Sequence, residues 1–380
     1  MLWIFLVLAA AASAPAAAPA VPEPGVPARP DTVPFVVVDG DTLPLTPTLE
    51  VVGARVPVAL PGVVRSIDLL DEAELSRLPG RSVAERLQTV PAVVTGQRQQ
   101  YGVQSDLSIR GSTFDQVQVL LDGFDVADPQ TGHHLMNLPL GVHDVARLEV
   151  LPGHGSALYG SGAFGGTVNV VTRRPAGRTG GELGLLGGGN GTWSGWGSMD
   201  LVGRGGDTGA RLSFERFRTD GYDFVRDDST AVTGGNDADT WTATGRFLDT
   251  SAEGESDLFV GYASRAFGAY DFYAPYPSWE RTRNFTATAR VNRRLGERLT
   301  VEPRFSFRRH EDRFVLIRTS PDTYINDHVT RRFAGAAGRS DRFALALRGQ
   351  YHCNVDVSGV VCRRLPSPWA DRRPSYGTLL

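Results

Sequence analysis

The sequence predicts a small α+β domain of about 110 residues followed by a long series of antiparallel strands. Three observations carry this. Between residues 61 and 172, short β-branched strands alternate with glycine-containing turns and brief helical stretches. From residue 181 onward, apolar and polar residues alternate with period two, which sets each series on its own face of a sheet. Glycine is abundant, 44 of 380 residues, as short strands joined by tight turns require. A compact α+β module set directly before such strands reads as a plug seated inside a barrel.

The amino-terminal elements are not structural. Residues 2–12 form an unbroken apolar run followed by Ala- and Pro-rich sequence. The run is shorter than the roughly 20 residues that span a bilayer. It suits the apolar region of a secretory signal, with small-residue cleavage after Ala14 or Ala20. Residues 1–20 are therefore assigned to a signal peptide, although no Lys or Arg precedes the run, and an upstream start would supply that charge. No later segment is apolar for long enough to predict a transmembrane helix. Residues 21–47 are rich in Pro and Ala with no helical or strand period and read as a linker. Residues 48–55, TLEVVGAR, read as an isolated edge strand.

Residues 56–175 hold the α+β domain. Residues 68–78 carry helical spacing. Ser82-Val83-Ala84-Glu85 has the form of a capping box, opening a helix through Gln88 that buries Val83 and Leu87, with Pro91 ending it. Strands are expected from residue 92, at 106–110 and at 116–121, bounded by Gly111 and by the turn dipeptide Asp122-Gly123. A helical turn at 142–146 leads into a strand at 147–151, and 166–172 is the last strand.

Residues 176–351 are strands. Trp241, Ala243, Gly245 and Phe247 alternate with Thr240, Thr242, Thr244 and Arg246; Phe285 to Asn292, Leu299 to Arg308 and Arg342 to Arg348 behave alike. A soluble antiparallel sheet shows the same alternation with its apolar face inward. Two features favour a transmembrane barrel. The strands run about ten residues, enough to cross a membrane at a tilt. Short turns such as 204–207 contrast with long loops at 220–237 and 267–279. Residues 352–380 lose the alternation and read as an irregular tail. Its Cys353 and Cys362 could close a short disulfide loop in an oxidising compartment, but the context favours two incidental thiols.

Several chemistries are excluded. Lys and Arg number 39 against 42 Asp and Glu, which leaves no basic surface for nucleic acid. Gly160-Ser161-Gly162-Ala163-Phe164-Gly165 satisfies the dinucleotide glycine pattern, but a strand rather than a helix follows it. These glycines are read as close-packed turns. Ser156 lacks the spacing of a nucleophile elbow. Asp122, Asp125 and Asp128 are spaced by three, near His133 and His134, but neither the EF-hand pattern nor a zinc set is complete. No catalytic residue, cofactor or metal is expected, and the protein is not expected to be an enzyme. Arg110, Arg147 and Glu149 are read as structural, with arginines of the α+β domain pairing with barrel carboxylates. Trp241, Phe267, Tyr270, Phe272, Tyr273, Tyr276 and Trp279 are read as an interfacial girdle or a substrate-binding face, the girdle being preferred.

SVAERLQTVPAVV, LSIRGS, VQVLLDGFDVADPQTGHH, RLEVLPG and SALYGSGAFGGTVNVVTRR, in this order, resemble the plug motifs of TonB-dependent outer-membrane receptors. GYASRAFGAYDFYAPYPSWERTR resembles an early barrel strand and loop of the cobalamin-receptor-like branch. The resemblance covers residues 48 to about 351. It implies an α+β plug domain followed by an antiparallel transmembrane β-barrel of 22 strands, placed in the cell outer membrane. It implies import of a scarce large substrate, cobalamin, a ferric siderophore or a similar organometallic chelate, by ligand binding and plug rearrangement. Residues 48–55 would be the TonB box, with Thr48, Leu49, Glu50, Val51 and Val52 pairing with the periplasmic TonB energy-coupling protein as an added strand. Asp125, Asp128, Gln130, His133 and His134 would lie on a plug apex loop as substrate contacts. The barrel is expected to be incomplete, about nine of 22 strands, since roughly 20 residues per strand and connection would need about 440. A frameshift near Tyr351 is the expected cause. The alternative is a secreted β-rich binding or adhesion protein without transport activity.

Overall fold

The computed structural model describes residues 66–128, 131–153, 161–225, 232–273, 275–296 and 299–339, with five short strands outside these spans. Two of those strands lie in the amino-terminal unit, residues 1–48. Here β1 (Phe35–Val38) pairs antiparallel with β2 (Asp41–Pro44). The segment read as linker thus contains a hairpin, for which FVVV and the Asp39-Gly40 dipeptide have the right chemistry. The signal peptide, the proposed TonB box at 48–55, His154 and Ser156 lie outside the described residues.

The plug begins with β3 (Asp68–Leu70), followed by α1 (Glu72–Arg77). The sequence suggested one helix from 68, but Asp71 intervenes as an N-cap. Its side chain accepts from the Glu74 N–H at 2.8 Å, and Glu74 Oε2 accepts from the Asp71 N–H at 3.2 Å. Residues 68–70 are then free to pair with residues 148–150. In α2 (Val83–Leu87) the predicted capping box is present, Ser82 Oγ accepting from the Glu85 N–H at 3.2 Å and Glu85 Oε2 from the Ser82 N–H at 3.1 Å. Val83 and Leu87 are buried as expected.

The hairpin β4 (Val93–Gln97) and β5 (Ser105–Ile109) follows. Next come β6 (Val117–Leu121), β7 (Phe124–Asp125), β8 (Val145–Pro152) and β9 (Gly166–Thr172). The plug sheet runs β3-β8-β9-β6-β7, antiparallel except for the parallel pair β6–β9. Asp122 (φ 51°) and Gly123 (φ 79°) make the two-residue β6–β7 turn, the left-handed pair a tight hairpin needs. Leu87, Leu107, Ile109, Val119, Leu121, Leu148, Val168 and Val170 form a core of negligible exposure. The glycine pattern proves to be close packing. A Cβ on Gly165 would meet the Ser112 side chain at 2.3 Å.

The second sheet has nine strands. They are β10 (Gly180–Gly187), β11 (Trp193–Val202) and β12 (Thr208–Thr219), then, after a small hairpin of β13 (Asp223–Val225) and β14 (Val232–Gly235), β15 (Ala238–Ser251) and β16 (Gly254–Gly268). The series continues with β17 (Trp279–Leu295), β18 (Leu299–Val315), β19 (Ile325–Arg339) and the short β20 (Ala344–Leu345). All neighbours are antiparallel and sequential apart from the inserted hairpin. From β15 to β19 the strands reach 14–17 residues, longer than the nine to eleven that cross a bilayer, so their ends project beyond it. Turns at 203–207, 252–253 and 296–298 fall at one end, and connections at 220–237, 269–278 and 316–324 at the other. This is the short-periplasmic, long-extracellular arrangement of outer-membrane barrels. A last hairpin, β21 (Gln350–Asp356) with β22 (Gly359–Leu365), occupies much of the segment read as an irregular tail, with Cys353 opposite Cys362 in its register.

The two faces of the nine-stranded sheet decide between barrel and sandwich. Phe214 is 51% exposed, Phe247 46%, Phe305 48% and Phe333 43%, all facing away from the plug. Their neighbours Arg246, Arg308, His310 and Arg332 are buried on the opposite face. A soluble sandwich would bury the phenylalanines. Polar inside and apolar outside is the pattern of a wall that meets lipid. Among the described residues no helix is long and apolar enough to cross a membrane.

Candidate functional site

The site is the seam between plug and wall. Six neighbouring strands, β12 and β15 to β19, each send a side chain to it. Arg211 on β12 lies 3.6 Å from Asp144 and 2.8 Å from Asp200. Arg246 on β15 holds Asp257 through two contacts, at 3.0 and 2.6 Å. Its Nη1 donates to the Thr172 carbonyl at 2.9 Å and approaches Asp122 at 3.5 Å. Arg265 on β16 donates to the Leu138 carbonyl at 2.7 Å, and Asn284 on β17 donates to the Asn137 carbonyl. Arg308 on β18 meets Asp128 at 2.8 Å, and Arg332 on β19 holds Asp125 bidentately, one bond at 2.7 Å.

The three aspartates spaced by three therefore each face a different wall arginine: Asp122 faces Arg246, Asp125 faces Arg332 and Asp128 faces Arg308. The β6–β7 turn and the segment after it carry these carboxylates to successive strands. Burial alone would raise the pKa of Asp128, but Arg308, His310 and His134 together hold it well below the ordinary carboxylate range. The expectation that plug arginines would grip wall carboxylates describes half of the seam. Arg81, Arg173 and Arg174 do so, with Glu215 at 2.6 Å, Glu182 at 3.5 Å and Glu255, but wall arginines also reach plug carboxylates and carbonyls. Arg147 pairs inside the plug with the fully buried Glu149 at 2.7 Å, and Asn169 donates to the other oxygen at 2.9 Å.

The remaining predicted residues are placed as follows. His133 contacts Asp106 within the plug at 2.7 Å. His134 is buried, its Nε2 3.6 Å from Asp312 Oδ2 and its ring 4.7 Å from that of His310. Gln130 lies outside the described residues. His143 stacks on Trp196 of β11 at 3.8 Å. Burial, with the positive charges of Arg86, Arg81 and Arg173, lowers its pKa to about 4. The girdle reading fails for Phe267 and Phe272. Both are buried in an apolar cluster with Phe217, Phe314 and the plug's Val103. Trp241 does face outward, against Tyr262.

Sequence reasoning missed the wall's half of the seam. Arg308, His310 and Asp312 share one parity on β18, and Thr330 and Arg332 share the facing parity on β19. A run of inward-parity ions on a strand was the available signal.

A family model for the TonB-dependent Receptor Plug Domain matches residues 61–167. Over 233 residues the chain is 28% identical to the vitamin B12 transporter BtuB of Photobacterium profundum, covering 57% of this chain and 37% of that one. Its fold is similar to the alcaligin outer-membrane receptor FauA of Bordetella pertussis, with TM-score 0.58 and 16% identity over 83% of this chain and 47% of that one. It is likewise similar to the siderophore receptor PiuA of Acinetobacter baumannii, with TM-score 0.57 and 13% identity over 80% and 49%. The chain spans about half the length of these solved structures and just over a third of that curated relative.

Proposed function

We propose that this chain, whose residues 61–167 match the TonB-dependent receptor plug domain, belongs to a TonB-dependent receptor of the bacterial outer membrane and serves the active import of a scarce, large chelate such as a cobalamin or a ferric siderophore. The family transports and does not catalyse. One observation supports the import reading above others: the plug is docked through ion pairs on a wall whose other face is apolar. An apolar seam of about 1,000 Å² would cost about 25 kcal/mol to expose. Buried ion pairs lie near break-even against hydration, so a plug held by them can move into a wet lumen at far lower net cost. The pairs fix where the plug sits without locking it there.

In this reading Thr48, Leu49, Glu50, Val51 and Val52 pair with the TonB protein as an added strand, where main-chain bonds supply affinity. Asp125, Asp128, Gln130, His133 and His134 form the ligand-sensing stretch. A chelate touching Gln130 or His133 would compete with the contacts that tie Asp125 and Asp128 to Arg332 and Arg308. The similarity to a vitamin B12 transporter makes cobalamin the first substrate to test and ferric siderophores the second.

The test is uptake by cells that depend on this receptor. Val51→Pro is expected to abolish cobalamin uptake while outer membranes still bind the vitamin. Undiminished uptake would refute the coupling role. Binding of ferric chelates without binding of cobalamin would move the substrate class. Heat-modifiable migration in the outer-membrane fraction separates a receptor from a secreted binding protein.

A further inference from the structure

One buried wall carboxylate has no neutralising contact among the described residues. Glu280, near the extracellular start of β17, is 1% exposed, and neither of its oxygens has a hydrogen-bond partner among the described residues. A buried, unpaired carboxylate costs several kcal/mol. Its surroundings suggest what compensates for this. Asp312 on β18 lies opposite Thr282, so Glu280 and Asp312 are diagonal neighbours on the same inward face. From the plug, His134 enters between them, and one donor atom from each of the three residues lies within 4.8 Å of the others. The 3.6 Å from His134 Nε2 to Asp312 Oδ2 is too long for a good hydrogen bond. It is close to the roughly 3.3 Å that separates two donors bound at about 2.0–2.1 Å to one tetrahedral ion.

We propose that His134, Glu280 and Asp312 bind one divalent transition cation of the zinc class, tethering the plug to the wall. Two carboxylates and a neutral imidazole carry a charge of −2 that such an ion cancels. The imidazole and the small number of oxygens disfavour calcium and magnesium, which take mainly oxygen donors in larger sets. His328, paired with Asp312 in the β18–β19 register and 3.7 Å from the same Oδ2, is placed to supply a fourth donor. The ion is resident and distinct from the cargo, so the assignment stands or falls separately from the import reading.

The test uses the full chain purified in detergent and stripped with chelator, with Co²⁺ alone as the probe. The expected result is one equivalent bound, with the intense visible absorption of a tetrahedral site. Glu280→Gln should weaken binding at least about tenfold, and Asp207→Asn, in the exposed turn at 203–207, should not change it. Should Glu280→Gln fail to fold, X-ray absorption of the Zn²⁺-loaded wild type decides. Imidazole nitrogen with oxygen donors supports the site, and a thiolate shell, which would place the ion on Cys353 and Cys362, overturns it. Absence of stoichiometric Co²⁺ binding, or wild-type affinity in Glu280→Gln, also overturns it.

Discussion

Asp128→Asn is the perturbation that bears most directly on how the plug is held. The substitution keeps the side chain's volume and removes its charge. Arg308, whose side chain is 4% exposed, then remains buried 2.8 Å from a neutral amide. Breaking a buried pair from one side costs about 3–5 kcal/mol, most of it the penalty of the stranded charge. Water entering the seam relieves part of this, so about 3 kcal/mol is expected, or roughly a hundredfold in the docking equilibrium. Hydrogen exchange reads that equilibrium in the amides of β6 and β9, which lie in the plug core. They should exchange about a hundredfold faster in the variant. Adding Arg308→Gln should restore much of the protection, because the double variant strands no charge. Unchanged exchange in Asp128→Asn would refute the reasoning, since it would mean that the ion pair does not hold the plug.

Gly165→Ala should destabilise the plug by about 1–3 kcal/mol through overpacking, read as a lower denaturant midpoint, since its Cβ would fall 2.3 Å from the Ser112 side chain. Phe214→Arg should weaken folding into lipid vesicles by about 2–4 kcal/mol if it lies near the bilayer midplane, whereas a soluble fold would tolerate it. Lowering the pH should loosen the His143–Trp196 stack. His143 has a pKa of about 4 when docked and an ordinary one when released, so a released plug takes up a proton that the docked plug refuses. Docking is therefore full above about pH 6.5 and weakens as the pH falls towards 4. Partial exposure limits the effect to about 1 kcal/mol, and His143→Phe should remove it from the pH profile of plug exchange.

What could be read in the sequence was what neighbouring residues decide. The Ser82–Glu85 capping box, the Asp122-Gly123 turn and the strand at 166–172 all involve residues close in the chain, and all are present. Period two along β15 was equally legible, but its sign was not. Alternation states that Phe247 and Arg246 face opposite ways, and only the plug's position states which of them faces lipid. The three aspartates were visible as a cluster, whereas their arginines lie 124 to 207 residues further on, beyond any local pattern. Residues 68–70 were misread because apolar spacing in so short a segment suits helix and strand alike, and Asp71 decides between them. Phe272 was misread because a loop aromatic has no period to reveal its burial, and Phe267 because it lies at the end of β16, inside the stretch read as a loop.

The most direct measurement is a spin-label scan along β15 in outer membranes, recording collision with lipid-soluble oxygen. Labels at Trp241, Ala243, Gly245 and Phe247 should be accessible to oxygen, and labels at Thr242, Thr244 and Arg246 should be shielded by the plug. The opposite phase, with Arg246 exposed and Phe247 hidden, would make the sheet one layer of a soluble protein and contradict a plug docked on the polar face of a membrane wall.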